Sequence, residues 1–219
     1  MSRQRVQQLA SEFLARADAT GWFEALYAEA GADYAKVPWA DLAPNPHLVE
    51  WSVRNHLTGE GTTALTVGCG YGDDAEFLAK LGFRVVAFDI SPTAISQCER
   101  RFADSQVSYQ VADLLKPPPA WQQNFALVFE SYTLQSLPLA LRPAAISSIS
   151  RFVAPSGQLL VIARGREETD ALGGLPYPLT QVELAQFESL GLRQQSFEDY
   201  WDDENPPVRR FRVLYTRSN

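Results

Sequence analysis

Three glycines at alternate positions form the most informative motif of the chain. Gly68, Gly70 and Gly72 lie between an apolar run at 64–67 and a helical pattern at 73–81. A strand, a tight turn and a helix are therefore predicted in this order, and a doubly wound α/β fold binds its cofactor at such a turn. Glycines there let the backbone approach a ligand closely. The motif predicts a cofactor site, although any α/β protein can have a glycine-rich turn after its first strand.

The spacing and charge of this turn argue against a cofactor that carries phosphate. The dinucleotide fingerprint G-x-G-x-x-G would place its last glycine at position 73, which is Asp73. Asp73 and Asp74 open the predicted helix, where they would oppose a pyrophosphate at its positive N-terminal end. A cofactor without phosphate and with a positive centre fits better. S-adenosylmethionine has both properties, since it is a sulfonium with an adenosine and an amino-acid end.

Two further acids follow the next two predicted strands. Asp89 lies 21 residues after Gly68, close to the spacing of the acid that binds ribose hydroxyls in nucleotide-binding folds. Asp113 follows the third strand, where its carboxylate can accept a hydrogen bond from an adenine amino group while Leu114 packs near the ring. Taken singly, each acid is explained better as a turn former or a helix cap. Three strand ends in register favour a nucleoside site.

The elements that position these residues follow from the hydrophobic pattern. Seven strands are predicted, at 64–67, 84–88, 107–111, 125–129, 158–163, 193–200 and 208–216. Helical patterns at 73–81, 91–102 and 141–152 lie between three of the four successive pairs among the first five strands, which indicates a parallel sheet with helices on both faces. Capping residues predict helix starts at Asn45-Pro46, for a helix that runs through residues 47–57, at Ser91-Pro92, and at Thr180, which forms a capping box with Glu183. No helix separates the last two, so they must pair antiparallel. The predicted fold class is α/β: a doubly wound, mostly parallel seven-stranded sheet with a C-terminal antiparallel hairpin, preceded by a helical N-terminal segment.

Composition narrows the class of protein. The 219 residues carry a formal net charge of −7, and an acidic surface repels nucleic acid. No apolar run is long enough to span a bilayer, and no signal peptide is visible at the N-terminus. Two cysteines and two histidines give neither a disulfide framework nor a metal-ligand cluster. We expect a cytoplasmic protein without metal or membrane partner, either a monomer or a weak homodimer.

The chain resembles the class I S-adenosylmethionine-dependent methyltransferases. The motifs that carry the resemblance are Gly68-Cys69-Gly70-Tyr71-Gly72, Val86-Ala87-Phe88-Asp89-Ile90-Ser91 and Ala112-Asp113-Leu114. Within the class the chain is most similar to the thiopurine-methyltransferase-like branch, with its tellurite-resistance and halide- or thiol-methylating relatives. The features of that branch are Thr66 in place of the usual acid, Asp74, the run from Gly82 to Pro92 and an aromatic lead-in that ends in Val37-Pro38-Trp39.

The resemblance implies a division of the chain and a set of cofactor contacts. Residues 1–58 would form a helical N-terminal lid, and residues 59–219 the methyltransferase domain. The implied cofactor-binding residues are Trp39, Gly68, Cys69, Gly70, Gly72, Asp89, Ile90, Asp113, Leu114 and Glu130. Trp39 would lie on the cofactor, although a packing role in the core fits it equally well. Glu130, at the end of the fourth strand, would replace the acid that is missing at Thr66.

The acceptor would be a small molecule, with a thiol, a halide or a similar soft nucleophile favoured. Methyl transfer is an in-line displacement at an activated carbon, so an anionic acceptor needs no general base, and no catalytic residue is assigned. Tyr132 and Arg164, just past the fourth and fifth strands, are the candidate acceptor contacts, although a salt bridge explains Arg164 as well. The lid and the loop at 164–179 would close over the acceptor.

Two other functions and one surface remain open. A nicotinamide-dependent oxidoreductase of the same general fold is disfavoured by Asp73. A cofactor-binding sensor or subunit without activity is compatible with the absence of an identifiable base. The acidic cluster Glu198, Asp199, Asp202, Asp203 and Glu204 is predicted to be the solvated turn of the last hairpin, neutralised by Arg209, Arg210 and Arg212. Attraction of a cationic acceptor or partner is the alternative.

Overall fold

Strands and helices alternate along most of the chain. The structure, a computed structural model, describes residues 3–219. Within them the helices are α1 (Arg3–Leu14), α2 (Gly21–Ala30), α3 (Pro46–Arg54), α4 (Asp73–Lys80), α5 (Pro92–Arg101), α6 (Arg142–Phe152) and α7 (Gln181–Ser189). The strands are β1 (Thr63–Val67), β2 (Arg84–Asp89), β3 (Ser108–Val111), β4 (Phe125–Ser131), β5 (Val153–Arg164), β6 (Leu192–Trp201) and β7 (Arg209–Arg217).

The seven strands form one mixed sheet of order β3-β2-β1-β4-β5-β7-β6. The predicted fold class is confirmed, including the antiparallel C-terminal hairpin of β6 and β7. The chain divides into two compact units, one ending at Asp113 and one beginning at Leu114. The predicted boundary between residues 58 and 59 stays a prediction.

In the first unit, β1, β2 and β3 are parallel, and their carboxyl ends are in register. Val67 pairs with Phe88, and Asp89 pairs with Val111. The inner strand β1 is buried over Ala64–Val67, as expected for a parallel strand covered on both faces. Each strand therefore ends at nearly the same level, so that the residues that follow β1 and β2 lie side by side.

Several helix starts follow from capping residues. The Ser91 hydroxyl accepts a hydrogen bond from the Ala94 amide at 3.0 Å, and Pro92 begins α5. The predicted capping box of α7 is present, because Thr180 and Glu183 each accept a hydrogen bond from the other's amide. Helix α3 is shorter than the predicted helix through residues 47–57. It ends at Arg54, and His56 has a positive φ of 51°.

In the second unit, the last strand of the chain lies inside the sheet rather than at its edge. β4 and β5 are parallel, whereas β7 pairs antiparallel with both β5 and β6. Residues Leu159–Ala163 of β5 are completely or almost completely buried. The predicted irregular loop at 164–179 is held at its base by a parallel bridge between Gly165 and Leu179.

Neither a membrane span nor a metal cluster is found among the residues that the structure describes. No helix there is long and apolar enough to cross a bilayer. No group of three or more histidine, cysteine, aspartate or glutamate side chains there is arranged to hold a metal ion.

Candidate cofactor site

The glycine turn is built from three residues with positive φ. Gly68, Gly70 and Gly72 have φ angles of 60°, 53° and 88°. The Cys69 amide donates to the Phe88 carbonyl at 2.8 Å, which ties the turn to β2. Side chains other than that of glycine are strained at such φ values, so the backbone conformation itself requires the alternating glycines.

Close packing also demands glycine at two of these positions. A Cβ atom at Gly72 would lie 2.6 Å from the Tyr109 hydroxyl and 3.1 Å from the Cys98 sulfur. A Cβ atom at Gly70 would lie 3.2 Å from the Tyr27 hydroxyl. The turn therefore lies against the side chains of β3, α5 and α2, with no room for a methyl group at Gly72.

Asp89 lies beside this turn, as the strand register predicts. Its carboxylate accepts a hydrogen bond from the Gly70 amide at 3.0 Å and another from the Ser91 amide at 2.9 Å. The side chain is buried, and this burial raises the pKa of Asp89 to about 6. A carboxylate offers about four lone-pair positions, so lone pairs beyond these two bonds remain for hydroxyl donors. Ile90, which follows it, is half-buried.

The end of β3 is held next to Asp89. The Ala112 amide donates to the Asp89 carbonyl at 3.0 Å, and Asp113 is the next residue. The structure thus brings Asp113 to the neighbouring strand end, as predicted. Leu114 is buried and begins the second unit.

An aromatic cluster from the N-terminal segment covers the turn, and its key residue was missed at the sequence level. Tyr27 of α2 is buried, its ring lies 5.1 Å from that of Tyr71, and its hydroxyl points toward Gly70. The Trp39 indole donates to the Tyr27 hydroxyl at 3.1 Å and remains 40 % exposed. Trp39 thus packs on a helix and also presents an open surface beside the turn. The aromatic richness of residues 1–58 is the only signal for Tyr27.

Polar contacts also connect the N-terminal segment to the first turns of α4 and α5. Glu24 of α2 accepts hydrogen bonds from the Ser91 and Thr93 hydroxyls, at 2.5 and 2.7 Å, at the start of α5. Asp74 accepts one from the Asn45 amide at 2.6 Å, and its burial raises its pKa to about 6. The N-terminal segment is therefore held against the starts of α4 and α5, which follow β1 and β2.

Asp73 has a partner that its position alone does not reveal. Its carboxylate forms a bidentate ion pair with Arg101 at the last turn of α5, with N–O distances of 2.7 and 2.8 Å. Arg101 also donates to the Tyr71 carbonyl at 2.5 Å. The acid that disfavours a phosphate thus also fixes the glycine turn to the neighbouring helix.

Two buried polar atoms around the turn have no hydrogen-bond partner among residues 3–219. They are the Thr66 hydroxyl oxygen on β1 and the Tyr71 hydroxyl oxygen in the turn itself. A buried polar group without a partner costs about 1–3 kcal/mol, and such groups often mark ligand sites. The resemblance expects an acid at the position of Thr66. The threonine keeps a polar side chain there, without the charge of an acid.

In the second unit, Glu130 combines burial with a free oxygen. Its Oε1 accepts hydrogen bonds from the Thr133 and Leu134 amides at 2.8 and 2.9 Å. Its Oε2 is buried and has no hydrogen-bond partner in the described chain. Burial raises the pKa of Glu130 to about 7. The carboxyl group is thus held rigidly by one oxygen, and the other is available to a ligand.

A third residue, Arg210, is a neighbour of both predicted acceptor residues. Tyr132 has a φ of 65°, a strained conformation for a tyrosine. The Arg210 guanidinium lies 5.0 Å from the centre of the Tyr132 ring. Arg164 is directly opposite Arg210 in the β5–β7 ladder, so their side chains emerge on one face of the sheet. The sequence assigned Arg210 only to neutralising the acidic cluster, because its contact with Tyr132 depends on packing between distant strands.

The acidic cluster is neutralised by arginines of β7, as predicted, but it is only partly solvated. Asp202 pairs with Arg210 at 2.6 Å, and both side chains are buried. Glu198 pairs with the buried Arg212 at 2.7 Å. The physical reason is that β7 lies between β5 and β6, so that its arginines are enclosed and need acidic partners.

A buried arginine fixes the loop at 164–179. Arg142 of α6 forms an ion pair with Glu183 and donates to the Leu134 carbonyl at 3.2 Å and the Tyr177 carbonyl at 2.5 Å. Nothing in the local sequence singles out Arg142. Its contacts join the end of β4, the loop and the start of α7 within the second unit.

Comparison with known proteins agrees with this geometry. A family described as "Methyltransferase domain" matches residues 64–157, which include the glycine turn, Asp89 and Asp113. The 2-heptyl-1-hydroxyquinolin-4(1H)-one methyltransferase of Mycobacteroides abscessus is 27 % identical over 181 residues, covering 81 % of this chain and 74 % of the relative. Thiocyanate methyltransferase 1 of Arabidopsis thaliana is 28 % identical over 182 residues, covering 79 % and 75 %.

Solved structures share the fold. The 1,6-didemethyltoxoflavin-N1-methyltransferase of Burkholderia thailandensis, with bound 1,6-didemethyltoxoflavin and S-adenosylhomocysteine, superposes with a TM-score of 0.70 at 14 % identity, covering 90 % of this chain and 88 % of that one. An N-methyltransferase of Bradyrhizobium japonicum in complex with S-adenosylhomocysteine gives 0.69 at 17 % identity, covering 90 % and 98 %. The chain thus resembles methyltransferases in sequence over residues 64–157 and shares their fold over most of its length, which supports a class I S-adenosylmethionine-dependent methyltransferase.

Proposed function

We propose that this enzyme transfers the methyl group of S-adenosylmethionine to a soft nucleophile of a small molecule, such as a thiol or a halide. When bound, the cofactor supplies a methyl group on a sulfonium that is already activated for displacement. The chain then has to hold the donor, admit the acceptor in line and exclude water. The acceptor class is supported by relatives that are named for thiol and thiocyanate methylation.

The cofactor assignment depends above all on one observation, which is the hydrogen bond from the Gly70 amide to the Asp89 carboxylate at 3.0 Å. In this proposal Gly68, Cys69, Gly70 and Gly72 shape the site of the methionine end, Asp89 and Ile90 hold the ribose, and Asp113 and Leu114 hold the adenine. Trp39 lies on the cofactor. The unpartnered Thr66 hydroxyl supports a polar ligand group at the turn.

Residues of the second unit would receive the remaining groups. Glu130 would accept a hydrogen bond from the cofactor's amino group through Oε2, which has no other hydrogen-bond partner in the described chain. Tyr132 and Arg164 would contact the acceptor, and the backbone strain at Tyr132 supports a functional role there. Monomer or weak-dimer state, cytoplasmic location and the absence of metal and nucleic-acid partners stay predictions.

An acceptor panel tests the proposal. The purified chain is incubated with S-adenosylmethionine and either iodide, thiocyanate, hydrosulfide or thiophenol, and matched reactions contain phenol or a primary amine. S-adenosylhomocysteine formation is measured against a reaction without protein. We expect turnover with at least one soft anion and slower turnover with phenol and the amine.

Two results would contradict it in different ways. Saturable binding of S-adenosylhomocysteine without turnover of any acceptor would favour a sensor or subunit. Thermal protection by NAD or NADP, with no protection by S-adenosylhomocysteine, would favour the oxidoreductase alternative.

A further inference from the structure

The two cysteines of the chain meet at one backbone oxygen. Cys98 of α5 donates to the Gly70 carbonyl with an S–O distance of 3.2 Å, and Cys69 of the glycine turn approaches the same oxygen at 3.9 Å. Residues that are 29 positions apart in the sequence therefore place two sulfur atoms side by side at the cofactor turn.

The surroundings of this pair are tightly packed on one side and accessible on the other. Cys98 is completely buried, and a Cβ atom at Gly72 would lie 3.1 Å from its sulfur. Cys69 is only partly buried, and both residues are free thiols. The neighbouring Cys98 thiol, together with burial, raises the pKa of Cys69 well above its ordinary value, so little of this thiol is ionised at neutral pH. Its reaction with an oxidant is therefore slow at neutral pH and faster at alkaline pH.

We propose that Cys69 and Cys98 form a reversible intramolecular disulfide that lowers the affinity of the glycine turn for the cofactor. The oxidant is a peroxide. The Cys69 sulfur attacks one oxygen of hydrogen peroxide, the O–O bond breaks, and a sulfenic acid and one water are formed. The Cys98 sulfur then attacks the sulfenic sulfur, the S–S bond forms and a second water leaves. Two thiols lose two hydrogen atoms, and the peroxide is reduced to two waters.

The bond would change the turn through Gly70. An S–S bond of about 2.05 Å requires the two sulfurs to approach far more closely than two thiols that share one acceptor oxygen do. It also removes both S–H donors from the Gly70 carbonyl. Because the Gly70 amide donates to Asp89, a shift of this residue moves the proposed ribose acceptor as well. The effect on cofactor binding rests on the proposed function, whereas disulfide formation does not.

The test measures thiols and binding on the same full-length sample. The reduced protein is treated with hydrogen peroxide, and the free thiols of the denatured protein, its intact mass and its cross-linked peptides are measured. We expect a monomer that has lost both thiols and two hydrogen atoms, with a Cys69–Cys98 peptide link. Calorimetry should then show S-adenosylhomocysteine binding weakened by more than about tenfold and restored by dithiothreitol.

The matched control is Cys98→Ser, with Cys98→Ala as a second variant in case the serine variant does not fold. Either variant should bind S-adenosylhomocysteine equally well before and after peroxide. Oxidation to sulfinic acids or to intermolecular dimers overturns the proposal, as does a disulfide form whose affinity stays within about twofold of the reduced form. Failure of the reduced protein to bind S-adenosylhomocysteine instead refutes the proposed function.

Discussion

Replacing Asp89 with asparagine should weaken S-adenosylhomocysteine binding and reduce its dependence on pH. The carboxylate lies at the end of β2, buried, and accepts the Gly70 and Ser91 amides. In the proposed complex it also accepts the ribose hydroxyls. An amide keeps one oxygen acceptor and loses the charge. The variant therefore tests whether a charged acceptor is used at this position.

The magnitude follows from the charge of the acceptor. A hydrogen bond to a charged group contributes about 1.5–3 kcal/mol, and about 1.4 kcal/mol corresponds to a factor of ten in affinity. Loss of one such bond predicts a dissociation constant that is about ten to one hundred times larger. A smaller effect would indicate that the ribose is held by other groups.

The pH dependence follows from burial. Because burial raises the pKa of Asp89 to about 6, the folded chain holds a proton here that the unfolded chain releases near its ordinary value of 3.8. This group thus lowers the free energy of unfolding as the pH rises from about 4 to about 6. A ligand that binds the ionised form should bind about fourfold more weakly at about pH 5.5 than at about pH 8.

Calorimetry at both pH values, on the natural chain and on two variants, makes the assay decisive. Asp74→Asn is the matched control, because burial also raises the pKa of Asp74 to about 6 but its carboxylate accepts the Asn45 amide. The control should keep the whole loss of affinity at low pH. Asp89→Asn should lose the part that comes from Asp89 and keep only the part that comes from Glu130, whose pKa of about 7 also lies in this range. A natural chain whose affinity is equal at both pH values would refute the reasoning.

Three other substitutions have defined outcomes. Glu130→Gln should raise the free energy of unfolding by about 1–3 kcal/mol at about pH 9 and leave it nearly unchanged at about pH 5. The reason is that the pKa of about 7 makes the ionised form of Glu130 costly in the folded chain. Denaturant titration measures this change, and calorimetry should show weaker S-adenosylhomocysteine binding. Gly72→Ala should lower stability by more than about 2 kcal/mol, since its Cβ would lie 2.6 Å from the Tyr109 hydroxyl at a φ of +88°; thermal unfolding measures the loss. Trp39→Ala should weaken S-adenosylhomocysteine binding several-fold while lowering stability by less than about 2 kcal/mol, because the indole is 40 % exposed; a large stability loss with unchanged binding would assign it to packing alone.

Local sequence patterns were sufficient to predict most elements of the first unit, which contains the glycine turn. The alternation of apolar runs with helical patterns predicted all seven strands, and the capping residues Ser91 and Thr180 predicted two helix starts. Parallel pairing of β1 with β2 in this register is then sufficient to place Gly70 beside Asp89. These features depend on neighbours in the sequence or on strand ends that a parallel sheet must align.

The sequence by itself thus determined the sheet, its terminal hairpin and a glycine turn beside two acids, because periodicity, capping and glycine conformation are local properties. Only the tertiary structure decided which side chains meet across long separations. It buried Glu130, placed Arg210 against Tyr132 and packed Tyr27 on the glycine turn. It also brought the thiols of Cys69 and Cys98 to the same carbonyl oxygen. Such contacts and the burial that shifts each pKa depend on how distant elements pack, and no local pattern encodes them.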